Sequence, residues 1–203
     1  IFTFLAVLLL ALGVKYFVGR SQPMDNADVF PIQPEININQ KTTDPPTQKQ
    51  AVSGFLPPLD RAKERVTKKY FGIFATPQYS PVQPEHFTGY HTGTDFEIFS
   101  GEESIDVPVK AVCSGKLLTK KTATGYGGVV VESCNLYGEP ITVVYGHLKL
   151  PSITHRIGDV INVGSTLGIL GAGHSAETGG ERKHLHLGFH KGALINILGY
   201  VQN

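Results

Sequence analysis

An all-β fold, a small antiparallel sheet or sandwich, is what the sequence predicts for residues 69–203. Short runs rich in Val, Ile, Leu, Thr and Tyr recur along this part, and Gly, Asn or Pro turns separate most of them. Such spacing is typical of meander and sandwich folds, and no long helical periodicity interrupts it. After a first strand near residues 69–76, strands are predicted at 94–99, 107–112, 115–120, 129–133, 141–148, 160–161, 166–170 and 185–190.

Two segments of different composition precede this domain. Residues 1–18 are apolar with two exceptions, and a run of about 18 apolar residues can cross a membrane as a helix. We therefore expect residues 1–20 to form a hydrophobic helix, either a transmembrane signal anchor or a signal peptide, rather than a buried core helix. Prolines recur through residues 21–68, which predicts a Pro-rich linker that could contain a short helix at 59–69.

Charge and cysteine content narrow the range of functions. The net charge is +1, so the chain lacks the excess of positive charge that is typical of nucleic-acid-binding proteins. We therefore expect no nucleic-acid partner. Cys113 and Cys134 are the only cysteines, too few for a sulfur-rich zinc site or a disulfide framework. A hairpin centred on Gly125–Gly128 would place them opposite each other, either as one disulfide or as two buried thiols. No pattern in the sequence indicates an oligomeric state.

Two histidines share one face of a strand that the sequence predicts at Lys183–Phe189. Apolar residues alternate with His184 and His186, so one face is apolar while the other carries two imidazoles. Burying two imidazoles is costly unless something uses them. One of them could bind a metal while the other works beside it; the alternative is a pair of half-exposed histidines without a function.

A second group of polar residues lies at His91-Thr-Gly-Thr-Asp95. Asp95 begins an alternating strand with its carboxylate on the polar face, and Gly93 allows a tight turn that can bring His91 towards it. Together with His186, these residues offer two nitrogens and one oxygen. That is the donor set of a catalytic zinc site with one position left for water, although a polar strand entry is the simpler alternative.

A third histidine, His147, lies at the end of the predicted strand 141–148. Alternation along the strand would place it on the same face as Val143 and Tyr145, with Leu148 on the opposite face. The position is compatible with the wall of an active site and equally with a hydrogen bond to a nearby carbonyl. No His-Glu-x-x-His motif occurs, so in a hydrolase the histidines that bind no metal would have to transfer the protons.

Several short pieces between His86 and Gly192 occur in a characteristic order. They are Gly89–Phe96, Val107–Ala111 with Gly115, Gly125–Gly127 with Val129, Val144–Leu148, Gly158–Val160 with Gly164, Leu167–Gly168 and Lys183–His186. In sequence and in order, they resemble the lysostaphin-type, LytM-like zinc metallopeptidases of the duplicated hybrid motif family.

The resemblance implies a metal site, catalytic residues and a substrate. His91, Asp95 and His186 would bind Zn²⁺, and His147 and His184 would be the catalytic histidines. Members of the family have a small antiparallel β domain and cleave peptide bonds in the stem peptides or cross-bridges of bacterial peptidoglycan. We therefore expect an exported enzyme, anchored in the bacterial cytoplasmic membrane by its apolar N-terminal segment, with the catalytic domain facing the cell wall.

Two stretches depart from the pattern of the family. A longer Glu177–Lys183 replaces the usual Thr-Gly-Pro, and the acidic residue usual after the last strand is absent from Leu187–His190. Because these stretches border the cleft, we expect them to affect the choice of peptide bond rather than the zinc chemistry.

Two other functions are compatible with parts of the sequence. An inactive wall-binding or amidase-activating domain could share the fold, but such domains typically lack one or more of the five residues present here. The segment Gly158–Gly164 and the paired histidines also suggest a hybrid-motif carrier or phosphotransfer domain, which needs neither a His-x-x-x-Asp motif nor an export segment. We expect His86, His155, His174 and His190 at the surface or behind the site, with His174 the one that could line the cleft.

Overall fold

The computed structural model describes residues 54–202 of the chain. The predictions for residues 1–20, and for most of the linker, lie outside this part. Within the described residues, no helix is long and apolar enough to cross a membrane. The short helix expected at 59–69 is present as a single α-helical turn, α1, at Ala62–Arg65.

Residues 54–202 contain eleven strands and two short 3-10 helices, Leu150–Ser152 and Ala176–Thr178. The strands are β1 (Phe74–Ala75), β2 (Gly89–His91), β3 (Gly93–Glu97), β4 (Pro108–Lys110), β5 (Gly115–Ala123), β6 (Gly127–Leu136), β7 (Glu139–Gly146), β8 (Val160–Ile161), β9 (Thr166–Ile169), β10 (His184–Lys191) and β11 (Tyr200–Val201). A six-stranded sheet has the order β3-β10-β7-β6-β5-β8, beside smaller sheets β1-β2-β11 and β4-β9. The strand pairs are antiparallel, which confirms the predicted all-β fold.

The predicted strands differ from the observed ones mainly at the start of the domain. The strand expected near residues 69–76 is reduced to the two residues of β1. The preceding residues form isolated backbone hydrogen bonds to other strands rather than a continuous ladder. Gly72 N–H donates to the His91 carbonyl (2.8 Å), and Asp95 N–H donates to the Lys69 carbonyl (2.8 Å). Strands β2 and β11, of three and two residues, were not predicted.

The hairpin predicted around Gly125–Gly128 is formed by β5 and β6. Ala123 pairs with Gly127 at the turn. At the open end, a disulfide joins Cys113, just before β5, to Cys134 in β6, with Cα atoms 6.0 Å apart. The structure therefore resolves the alternative that the sequence left open in favour of the disulfide.

The six-stranded sheet separates a larger core from a smaller apolar cluster. The larger core takes every second residue of β6, β7 and β10, among them Val130, Tyr145 and Leu185. The smaller cluster takes residues that lie between them along the strands, including Val131 and Val144. The histidines of β10 alternate with the leucines that enter the larger core, so they lie on the face of the smaller cluster.

Candidate metal centre

Strand pairing brings Asp95 and His186 together. In the register of β3 and β10, Asp95 lies directly opposite His186, and Gly146 of β7 pairs with the same histidine from the other side. A Cβ atom on Gly146 would lie 2.3 Å from the Tyr126 ring. One on Gly93 would lie 2.6 Å from His186 Nε2. The absence of side chains at these two positions therefore leaves space for the Tyr126 ring and for the His186 imidazole.

His91 reaches the same point from the end of β2. Its Nδ1–H donates to the Tyr70 carbonyl (3.3 Å), which leaves Nε2 to face the other two residues. This Nε2 lies 2.9 Å from His186 Nδ1 and 3.2 Å from Asp95 Oδ1. His186 Nδ1 lies 3.3 Å from the same carboxylate oxygen. The three residues that the sequence predicted as ligands thus converge on one point.

The spacing and burial of these three donor atoms fit a zinc ion. The edges of the triangle measure 2.9, 3.2 and 3.3 Å. Ligands at about 2.0–2.1 Å from a tetrahedral zinc ion would be about 3.3 Å apart. Asp95 Oδ1 is buried without a hydrogen-bond partner, an arrangement that costs free energy and that a cation would relieve. The donor set of two imidazoles and one carboxylate is also typical of catalytic zinc.

Protonation around the triangle also suits a cation. Burial by itself raises the pKa of Asp95, but the surrounding imidazoles, His184 foremost, outweigh this and hold the pKa well below its ordinary value. Burial lowers the pKa of His186 and holds the pKa of His147 well below its ordinary value. An ionised carboxylate and neutral imidazoles are the states in which these groups bind metals.

Two further histidines lie beside the triangle, and backbone carbonyls orient both of them. His147 Nδ1–H donates to the Thr178 carbonyl (3.0 Å), and His184 Nδ1–H donates to the Arg182 carbonyl (2.8 Å). The two ring centroids are 4.2 Å apart. Each carbonyl fixes the proton on Nδ1, so Nε2 is the nitrogen left for chemistry. His184 Nε2 lies 3.3 Å from Asp95 Oδ2.

The predicted orientation of His147 was wrong. β7 ends at Gly146, and His147 has a positive φ of 64°. Alternation holds only while the backbone stays extended, so the left-handed residue breaks it. Leu148, rather than His147, joins Val143 and Tyr145 in the larger core, and His147 lines the cavity over the triangle.

A cavity of about 340 Å³ opens over the triangle. This volume lies within the range of ligand pockets, about 300–1,000 Å³. Part of its lining is apolar and includes Ile197 and Phe87, and the Phe87 ring stacks on Tyr200 at a centroid distance of 5.3 Å. Lys69 lines it as well, but its ammonium group is already paired with Glu85 and donates to the Tyr200 hydroxyl (2.8 Å). The five predicted site residues all border the cavity.

The remaining four histidines do not line this cavity. His86 and His174 are exposed, and His155 and His190 are half-buried. His174 was expected to be able to line the cleft, but its Nδ1–H donates to the Gly180 carbonyl (3.2 Å) within its own loop.

Sequence reasoning missed two residues that contact the triangle. The Tyr126 hydroxyl, at the turn of the β5-β6 hairpin, lies 3.1 Å from His186 Nε2. Arg182 Nη2–H donates to Asp95 Oδ2 at 2.9 Å. Tyr126 belongs to a Gly-Tyr-Gly piece shared with the resembling family, and this could have indicated it. Arg182 lies in the stretch that departs from that family, and no spacing marks it.

The sequence model of peptidase family M23 matches residues 89–197, more than half of the chain. The chain belongs to peptidase family M23. The matched range contains the three residues of the triangle and both neighbouring histidines. M23 membership confirms the resemblance at the level of the family.

Several solved structures are similar to the chain. A zinc-containing peptidase from Vibrio cholerae is 22% identical with a TM-score of 0.45, covering 68% of this chain and 37% of its own. LytU is 26% identical with a TM-score of 0.45, covering 64% and 75%. Csd3 of Helicobacter pylori is 21% identical with a TM-score of 0.45, covering 74% and 35%. The chain therefore spans little more than a third of the first and third structures, and no curated protein sequence matches it.

Proposed function

We propose that the domain is a zinc-dependent metalloendopeptidase that hydrolyses peptide bonds in peptidoglycan stem peptides or cross-bridges. The triangle formed by His91, Asp95 and His186 is the observation that carries the proposal. Its edges suit a tetrahedral zinc ion, and its three residues line the cavity. Membership of family M23 supports peptide hydrolysis as the reaction.

The roles of the residues follow from which atoms face the cavity. When bound by His91, Asp95 and His186, zinc would polarise the scissile carbonyl and acidify a water molecule. His147 and His184 present Nε2 beside the triangle, so each can accept a proton from that water or donate to the oxygen on which charge develops. Burial keeps His147 neutral because it holds the pKa well below its ordinary value, so Nε2 is free to accept a proton.

Two rival functions predict different behaviour. An inactive wall-binding or amidase-activating domain would not need a complete site, whereas here all three candidate ligands and both oriented histidines are present. A phosphotransfer domain would need a histidine that acts as nucleophile, but it would not need a carboxylate directed at two imidazoles. The complete triangle therefore favours the peptidase.

We also propose that the domain works outside the cytoplasm. Disulfides persist in oxidising compartments, and the Cys113–Cys134 bridge supports such a location. An apolar N-terminal segment that anchors the protein in the cytoplasmic membrane would hold the catalytic domain against the cell wall.

Metal analysis combined with digestion of purified sacculi tests the proposal. We expect about one equivalent of zinc per chain, release of soluble wall fragments, loss of that release after chelation, and its recovery on adding zinc. Zinc binding without any wall cleavage would indicate the inactive, wall-binding alternative. A protein that binds no zinc, yet accepts a phosphoryl group on a histidine, would indicate the phosphotransfer domain.

A further inference from the structure

Arg182 connects the metal triangle to the stretch Glu177–Lys183, which departs from the family pattern. Its Nη2–H donates to Asp95 Oδ2 at 2.9 Å, and its Nε–H donates to Glu97 Oε2 at 2.9 Å. The side chain is only 13% exposed. Its own carbonyl accepts the hydrogen bond that orients His184. The stretch that departs from the family pattern therefore contacts Asp95 and His184, two of the five candidate site residues.

The two oxygens of Asp95 have separate partners. Oδ1 faces the nitrogens of His91 and His186 at 3.2 and 3.3 Å. Oδ2 accepts from Arg182 and lies 3.3 Å from His184 Nε2. Carboxylates can bind a metal through one oxygen or through both. With Oδ2 engaged by a guanidinium, only Oδ1 remains for a metal.

Glu97 fixes the guanidinium in this position. It lies two residues after Asp95 in β3, so both carboxylates point to the same side of the strand. Arg182 forms ion pairs with both. Its third nitrogen, Nη1, is buried without a hydrogen-bond partner, which costs free energy. The two carboxylates, rather than a complete set of hydrogen bonds, therefore determine where the side chain lies.

We propose that Arg182 is a positioning residue that keeps Asp95 a one-oxygen ligand, with Oδ2 turned away from the metal. The proposal rests on the proposed function, because it requires that the triangle binds a metal. It adds that the coordination number is controlled by a residue of Glu177–Lys183, outside the ligand set. Without the guanidinium, Oδ2 is released and can turn towards the metal as an additional ligand.

Cobalt(II) bound to the full chain tests this, because its visible absorption reports coordination number independently of activity. Four-coordinate cobalt(II) absorbs more strongly in the visible range than five-coordinate cobalt(II) does. We expect Arg182→Gln to weaken the visible bands and to reduce zinc affinity about 10- to 100-fold, the usual cost of losing a residue that supports a ligand. Zinc affinity is measured by competition with a chromogenic chelator.

Lys183→Gln is the matched control. Lys183 is the next residue, is also buried, and donates to the carbonyls of Glu102 (2.9 Å) and Ile105 (2.6 Å) rather than to Asp95. We expect this variant to lower thermal stability while leaving the cobalt spectrum and zinc affinity unchanged. Arg182→Lys keeps the charge without the planar fork, so we expect a spectrum between those of the wild type and Arg182→Gln.

The outcomes separate this inference from the proposed function. If the wild type binds metal and Arg182→Gln gives the same spectrum and affinity, the positioning role is wrong while the peptidase proposal stands. An equal change in Lys183→Gln would also overturn it, since the effect would then belong to the loop as a whole. If Arg182→Gln does not fold, Arg182→Lys decides by the same spectrum. A wild type that binds neither zinc nor cobalt would overturn both proposals.

Discussion

Two buried carboxyl groups on the six-stranded sheet have pKa values that are shifted in opposite directions. Glu132 of β6 lies in the larger core, where it accepts one hydrogen bond from the Tyr145 hydroxyl (2.6 Å) and its other oxygen has no partner. Burial raises its pKa to about 7. Asp95 of β3 is just as inaccessible, but three histidines and Arg182 surround it, and its pKa is held well below its ordinary value.

The difference shows that partners, rather than burial, decide what a buried carboxyl group can do. Desolvation disfavours the charged form in both places. One neutral hydroxyl does not compensate for it, so Glu132 can remain protonated as part of the core. Several basic groups do compensate, so Asp95 stays ionised and available to a cation. The predictions that follow change residues around Asp95 first, and then Glu132 and its partner Tyr145.

The largest expected effect comes from His186→Ala. The variant removes one corner of the triangle, so we expect it to lose bound zinc and all measurable release of fragments from sacculi. Metal content by atomic spectroscopy and the thermal upshift caused by added zinc provide the measurements. His190→Ala, on the same strand but outside the cavity, should keep both. Full metal content in His186→Ala would remove this residue from the ligand set.

His147→Ala should separate binding from turnover. His147 is not one of the three triangle residues, so zinc content should stay at the wild-type level. Loss of a group that transfers protons typically reduces turnover about 10²- to 10⁴-fold. Sacculus digestion measured beside metal content tests this. If the variant digests sacculi as fast as the wild type, the catalytic role assigned to His147 is wrong.

Glu132→Gln should stabilise the fold at alkaline pH. The pKa of Glu132 is about 7 in the folded state and 4.5 is its ordinary value, so between these pH values the unfolded chain has already lost the proton that the folded chain keeps. The contribution of this proton to the free energy of unfolding has its full value below pH 4.5, falls as pH rises to 7, and then levels off. The total is at most about 3 kcal/mol.

Urea unfolding at pH 5 and pH 8 measures the effect of Glu132→Gln. The amide cannot ionise but can still accept from Tyr145, so this part of the pH dependence should disappear. Glu139→Gln, an exposed position on the adjacent strand, is the control and should leave it intact. An unchanged pH dependence in Glu132→Gln would show that Glu132 is ionised in the fold throughout this range.

The smallest expected effect is that of Tyr145→Phe. The Tyr145 hydroxyl donates to Glu132 and accepts from Val112 N–H (2.8 Å), so its loss should cost about 1–2 kcal/mol. The hydrogen bond from Tyr145 lowers the pKa of Glu132, so the midpoint of the pH dependence should also move above 7. A midpoint that moves downward would contradict the comparison between the two carboxylates.

Much of the candidate site could be predicted because it depends on regular strands. Alternation along β10 gave the common face of His184 and His186, and the pairing of β3 with β10 then sets Asp95 opposite His186. The orientation of His147 was missed because a single left-handed residue leaves no periodic signal. Arg182 was missed because its role depends on how an irregular loop folds, which spacing does not encode.

Asp95 is carried by the outermost strand of its sheet, with β10 on one side only. On the other side, residues upstream of the matched range 89–197 hold two of the candidate ligands. The Lys69 carbonyl accepts a hydrogen bond from the Asp95 amide, and the Tyr70 carbonyl accepts one from His91 Nδ1–H. A fragment cut to the matched boundaries would lack these two hydrogen bonds. Anyone producing the domain for crystallisation or screening should therefore begin well upstream of Lys69, since a shorter piece would contain every candidate ligand and still leave two of them poorly held.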